Sequence, residues 1–323
     1  MALTAHTGTD SGVIETLLRD DLFHADQAML HMAPILQHLL RNDDSSIFSD
    51  EIIARVRGMF ADIARQLVQA MGEAAGHVDA GAWAREAGPG LAEMLASNQA
   101  LLTHVHMLAV EWQLAEKLQG RQGIDPVLTP LLQDLIASPD PDLAARGMNL
   151  LAAQARFGQA IRRMQMPLTE LPGELHAATL AMMRAYVADD PSGVAAAELA
   201  EMSLHKARAG AASRIDLLSY AISASGARSS ATLSLQNAGV ALFLTALGLG
   251  AGLERETAVM CTTESQMPRL ALSLAAAGID RDGLVETFAA LHPDIALPPA
   301  LEDLHPDRAA AMLASSQAAD ARR

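Results

Sequence analysis

The chain has 323 residues, about a fifth of them Ala, with 3% aromatic residues, 19% charged residues and a formal net charge of −15. The apolar half excludes wholesale disorder, and the one cysteine excludes a disulfide framework and any multi-cysteine metal cluster. Acidity repels phosphate backbones and the few aromatics leave little for base stacking, so nucleic acid is not expected as a partner.

The length exceeds the usual single-domain range. The turn signals divide the chain into an N-terminal helical bundle (1–122), HEAT-like helix pairs (123–225) and a C-terminal helical subdomain (226–323) whose polar tail frays after Ser315. Met1 to Gly12 is polar, with neither a cationic start nor an apolar core, and does not read as a signal peptide.

His24, His31 and His38 stand at heptad spacing, on one stripe of a helix that Pro34 is expected to interrupt. Neighbours on that stripe are roughly 10 Å apart, too far to share a metal ion. A pH-responsive stripe is the functional reading and chance placement the plain one. From Ile52, the apolar positions Ile53, Val56, Met59, Phe60, Ile63, Leu67 and Met71 recur every three or four residues, which predicts a helix with one buried face. Similar patterns run through Leu91–Leu118, Leu143–Met164, Leu175–Val187 and Leu284–Leu291, while period-two alternation is nearly absent. The fold class expected is all-α, with antiparallel helix pairs in an irregular HEAT-like or bundle array.

Asp-Pro pairs at Asp125-Pro126, Asp140-Pro141 and Asp190-Pro191 each place a capping acceptor before a proline suited to the first helical position. Pro89 and Pro306 are expected to open helices, and Gly120 to Gly123 to close the one after Trp112. The segments Leu128–Ala152 and Leu175–Met202 share a plan of helix, Asp-Pro turn and small-residue helix. His104 and His106, two apart, point to different sides of a helix and form no metal motif; they read as polar-face histidines, with phosphate acceptance as the functional alternative.

No charge occurs between Arg228 and Glu254, but the continuous apolar part, Ala238 to Leu253, is shorter than the roughly 20 residues of a membrane span. It reads as a buried core helix, and a soluble cytoplasmic protein is expected. Gly248, Gly250 and Gly252 mimic a dinucleotide loop, but Leu253 stands where the third glycine belongs, so a helix C-cap is expected instead. Cys261 has no nearby His to activate it and reads as a small buried hydrophobe. No catalytic, cofactor-binding or metal-ligating set emerges, and no cofactor is expected.

Charge is more informative. Arg146, Arg156, Arg162 and Arg163 lie between Asp142 and Glu170 with no acid among them, and His205, Lys206, Arg208 and Arg214 lie between Glu201 and Asp216. Arg156, Gln159 and Arg163 share one helical face. One reading is a contact patch, Arg156, Arg162 and Arg163, for an acidic protein or small anionic ligand; the other is pairing with acids of neighbouring helices.

Two passages carry a family resemblance. One is "DEIIARVRGMFADIARQL" with "GIDPVLTPLLQDLIASPDPDLAARGMNLLAAQARFGQAIRRMQMPLTELPGELHAATL"; the other is "VALFLTALGLGAGLERETAVMCTTESQMPRLALSLAAAGIDRDGLVETF". Together, over about Ser49 to Pro293, they resemble the bacterial family called domain of unknown function 2336, an all-helical group with HEAT-like pairs. The resemblance implies a helical, cytoplasmic regulatory or scaffolding protein. The family offers no catalytic residues to carry over. The expected function is therefore a non-enzymatic interaction or adaptor protein. The alternative is a small-molecule- or phosphate-responsive regulator with a pocket in its helix bundle. The Ala-rich faces also allow a homodimer.

Overall fold

A computed structural model describes residues 7–41, 50–209, 212–295 and 304–320. These contain fourteen α-helices and no strand: α1 (Thr7–Arg41), α2 (Asp50–Ala74), α3 (Ala80–Ala96), α4 (Gln99–Gln122), α5 (Pro130–Ile136), α6 (Pro141–Arg162), α7 (Gly173–Tyr186), α8 (Pro191–Arg208), α9 (Arg214–Ser225), α10 (Leu235–Ala251), α11 (Arg255–Met260), α12 (Met267–Ala277), α13 (Arg281–Leu291) and α14 (Pro306–Asp320). The protein is all-α. None of these helices is long and apolar enough to cross a membrane.

The helix starts follow capping chemistry. Asp140 accepts from the Asp142 and Leu143 amides at the head of α6, and Asp190 accepts from the Ser192 amide at the head of α8. The acceptor role holds the Asp190 carboxyl below its ordinary range, with the Ser192 hydroxyl bond the largest contribution. Asp125 uses the same oxygen differently. It accepts from Val127 and Leu128 in a turn, and the next helix opens only at Pro130, capped by Thr129.

Prolines depart from expectation twice. Pro34 lies inside α1 and Pro89 inside α3, so neither interrupts or opens a helix. Both are exposed, where water can bond the carbonyl that each proline leaves without its helical donor. The pattern read as continuous from Leu91 to Leu118 is divided at Ser97–Asn98, where the Asn98 side chain accepts from the Leu101 amide to start α4. The tail remains helical to Asp320; the last three residues lie outside the described ones.

The chain forms two compact units. In the unit of residues 33–113 and 148–217, α2 is the central helix. Its periodic face, Val56, Met59, Phe60, Ile63, Leu67 and Met71, is buried, chiefly against α3 and α8. Small residues Ala196, Ala197 and Ala200 on α8 are buried and let the helices approach closely. Asp62 and Gln66 of α2 then clamp the connection that follows α6. Asp62 accepts from the Met166 amide at 3.0 Å, and Gln66 accepts from the Leu168 amide at 3.2 Å and donates to the Met166 carbonyl at 2.8 Å.

In the unit of residues 1–32, 114–147 and 218–323, α10 packs on α5, α11 and α12, and α12 packs on α13 and α14. The uncharged stretch is the core here, because α10 is buried on nearly every side. Gly252 caps α10 in the left-handed region, at φ 69°. Arg269 of α12 is buried against Asp26 of α1, which also accepts from the Ser316 hydroxyl of α14.

Candidate contact surface on helix α6

Helix α6 has two faces of different chemistry. Leu150, Ala153, Phe157 and Ile161 are buried, at spacings of three and four. Arg156, Gln159 and Arg162 are exposed on the other side, and exposed Arg163 continues them into the closing turn. Arg156 and Arg163 make no ion pair among the described residues. Basic residues at the end of a helix also complement the partial negative charge of its last carbonyls.

Beneath that surface, side chains hold α6 in place. The Trp112 ring meets Phe157 edge-on, with centroids 5.9 Å apart. Gly158 permits this approach, since a Cβ there would sit 2.9 Å from the indole. The Arg162 guanidinium lies 5.1 Å from the centroid of the same indole, a cation–π contact that fixes the base of the patch.

Arg214, expected to be part of a second positive island, is instead a core residue at 2% exposure. It donates to both Glu111 carboxylate oxygens, at 2.9 and 3.1 Å, and to Gln154 Oε1 at 2.8 Å. Its guanidinium stacks 3.7 Å from the Phe157 centroid. Arg208 donates to the Leu171 carbonyl, and Arg146 lies 4.0 Å over the Tyr220 ring. The two islands therefore separate. Arg208 and Arg214 serve the fold, Arg146 and Arg162 each lie over an aromatic ring while remaining exposed, and Arg156 and Arg163 are exposed beside Arg162.

The histidines are also resolved by burial. His104 and His106 are both 2% exposed and are not polar-face residues. From Val105 to Trp112 every residue of α4 is buried, so positions on different sides of the helix are equally enclosed. Burial pushes the His106 pKa down to about 4. Neither ring is open to a phosphate donor. His205 is exposed, with Nε2 3.5 Å from Glu201, whose carboxyl is held below its ordinary range by the bond from Arg184. The His205 ring lies 5.6 Å from that of His176, whose pKa burial lowers, with the Arg208 charge adding to the effect. His24, His31 and His38 are exposed along α1. No group of three His, Cys, Asp or Glu among the described residues is arranged to hold a metal ion. Cys261 is buried, and desolvation pushes its thiol pKa up to about 12.

Compared with known proteins, the chain matches no family model, no curated protein and no solved structure.

Proposed function

We propose that this chain is a non-enzymatic, cytoplasmic interaction protein of adaptor or scaffold type that docks an acidic partner protein on the solvent face of α6. The observation that carries this reading is the exposure of Arg156, Gln159, Arg162 and Arg163 on one end of a helix, within a chain of net charge −15. Guanidinium groups make bidentate bonds to carboxylates, so a partner presenting spaced Asp or Glu complements this patch. A small-anion regulator is the alternative, and it draws on a different feature, the groove described below.

The test is to identify by mass spectrometry a protein retained by the purified chain and to reconstitute the pair from purified components. The Arg162→Glu, Arg163→Glu double variant should weaken the reconstituted complex by at least about tenfold, with its helical circular dichroism unchanged. Equal affinity of the double variant and the parent chain would remove the α6 patch from the proposal.

A further inference from the structure

Helices α2 and α3 form an antiparallel hairpin. Its register is fixed where Gly72 meets Ala80 and Trp83; a Cβ on Gly72 would lie 3.1 Å from the Ala80 Cβ and 2.9 Å from the indole. Counting back from that contact, Arg65 comes opposite Gly88 and Pro89, and Arg57 opposite Ala96. Between these points Phe60, Ile63, Leu91 and Leu95 are buried, so the seam is packed and the open space lies beside it. A groove of about 470 Å³ remains, within the roughly 300–1,000 Å³ of small-molecule sites.

The lining has a head and a floor. Phe60 and Ala61 on α2, with Ala84, Ala92 and Ala96 on α3 and Leu40 from the end of α1, supply an apolar floor. Small residues along α3 are what leave it open. Three arginines stand around that floor, Arg57, Arg65 and Arg85, against Glu93 in the lining and Asp62, which pairs with Arg65. Arg57 reaches the Leu39 and Leu40 carbonyls at 3.4 Å, and Arg65 is held by Asp62. Arg85 is exposed, one turn from the Gly88–Pro89 position that Arg65 faces, and makes no ion pair among the described residues. The Arg65–Arg85 end is thus the more open cationic end, and the floor runs from it toward Leu40 and Ala96.

We propose that this groove binds a free single-chain amphiphile with a carboxylate head, a fatty-acid-type anion, its head at Arg65 and Arg85 and its chain along Phe60, Ala61 and Ala92. Charge complementarity selects the occupant. A chain of net charge −15 repels anions in general, so a local excess of guanidinium beside an apolar floor favours a ligand that is anionic at one end and apolar along the rest. A fully apolar ligand would leave the guanidinium groups unused. A cationic one would meet like charge.

The probe is decanoate, titrated calorimetrically into the full chain below its micelle concentration, beside decanol, decyltrimethylammonium and phosphatidylglycerol vesicles. Decanoate should saturate one site, with decanol and the cationic amphiphile at least about tenfold weaker. Arg85→Glu, at an exposed position, should weaken decanoate about tenfold and leave decanol unchanged, whereas Ala92→Phe, which fills the floor, should abolish binding of both. Absence of saturable decanoate binding, equal affinity for decanol, or an Arg85→Glu variant that binds as the parent does would each overturn the proposal. Vesicle binding without uptake of free decanoate would assign the groove to a lipid headgroup at a membrane and overturn the free ligand. The α6 variants leave this site untouched, so its outcome is independent of the partner assignment.

Discussion

Glu111 and Arg214 bring opposite charges into the interior of one unit, where each is almost fully enclosed. Their attraction is offset by the cost of removing both from water, so the pair is better read as a constraint on geometry than as a source of stability. The asymmetry is testable. Glu111→Ala leaves Arg214 charged and buried, and should cost about 3–5 kcal/mol in chemical denaturation. The Glu111→Leu, Arg214→Met double variant should cost less than Glu111→Ala alone; a larger loss would mean the pair contributes net stability. His106 makes a second residue-scale prediction. Its ring takes a proton near pH 6.5 when unfolded and only near pH 4 when folded, because burial disfavours the cation. Between those values the unfolded chain holds more protons, so the contribution is complete above pH 6.5 and is lost as pH falls toward 4. From about pH 7 to about pH 5 the parent chain should lose on the order of 2 kcal/mol more than His106→Leu does. Equal losses would place the pH dependence elsewhere.

At the scale of the element, glycines separate turns that need left-handed backbone from those that need space as well. Gly239 has φ 67° and ψ 176° within α10, a combination open almost only to glycine, and an added Cβ would collide with the Thr129 side chain. Gly252 caps the same helix at φ 69° with nothing near its missing Cβ. Gly252→Ala should therefore cost about 1 kcal/mol, the strain of the left-handed region alone. Gly239→Ala should cost about 2–5 kcal/mol, because overpacking adds to the backbone term. Comparing the two denaturation midpoints checks the order. The caps illustrate how locally such features are written. The Asp-Pro pairs at 140 and 190 open helices as their sequence predicts. The pair at 125 makes a turn because Thr129-Pro130, four residues later, supplies the competing start.

Across the whole molecule the net charge of −15 acts on every helix at once. Self-repulsion of this size lowers the stability of a compact chain and is screened by salt. The thermal midpoint should rise as sodium chloride goes from about 10 mM to about 150 mM, where the screening length falls from roughly 30 Å to 8 Å. A midpoint that falls instead would mean that favourable ion pairs outweigh the repulsion.

The amphipathic face of α2, the buried run of α10, the caps at Asp140 and Asp190 and the shared helical face of Arg156, Gln159 and Arg163 were all legible in the sequence, because each depends on spacing within one helix; the exposure of that last face was not. The enclosure of His104 and His106 was not, since burial all round a helix is set by its neighbours. Nor was the partner of Arg214, which lies 103 positions away at Glu111. The groove beside the seam of α2 and α3 depends on register across a hairpin and on side chains that are missing from it. Helicity, the helix faces and most helix ends can be read from residue order alone, as these follow from interactions three or four residues apart. Which arginine meets a buried acid, as Arg214 does, and which stay exposed, as Arg156 and Arg163 do, is settled by the fold. That choice depends on distances between segments that no local pattern encodes.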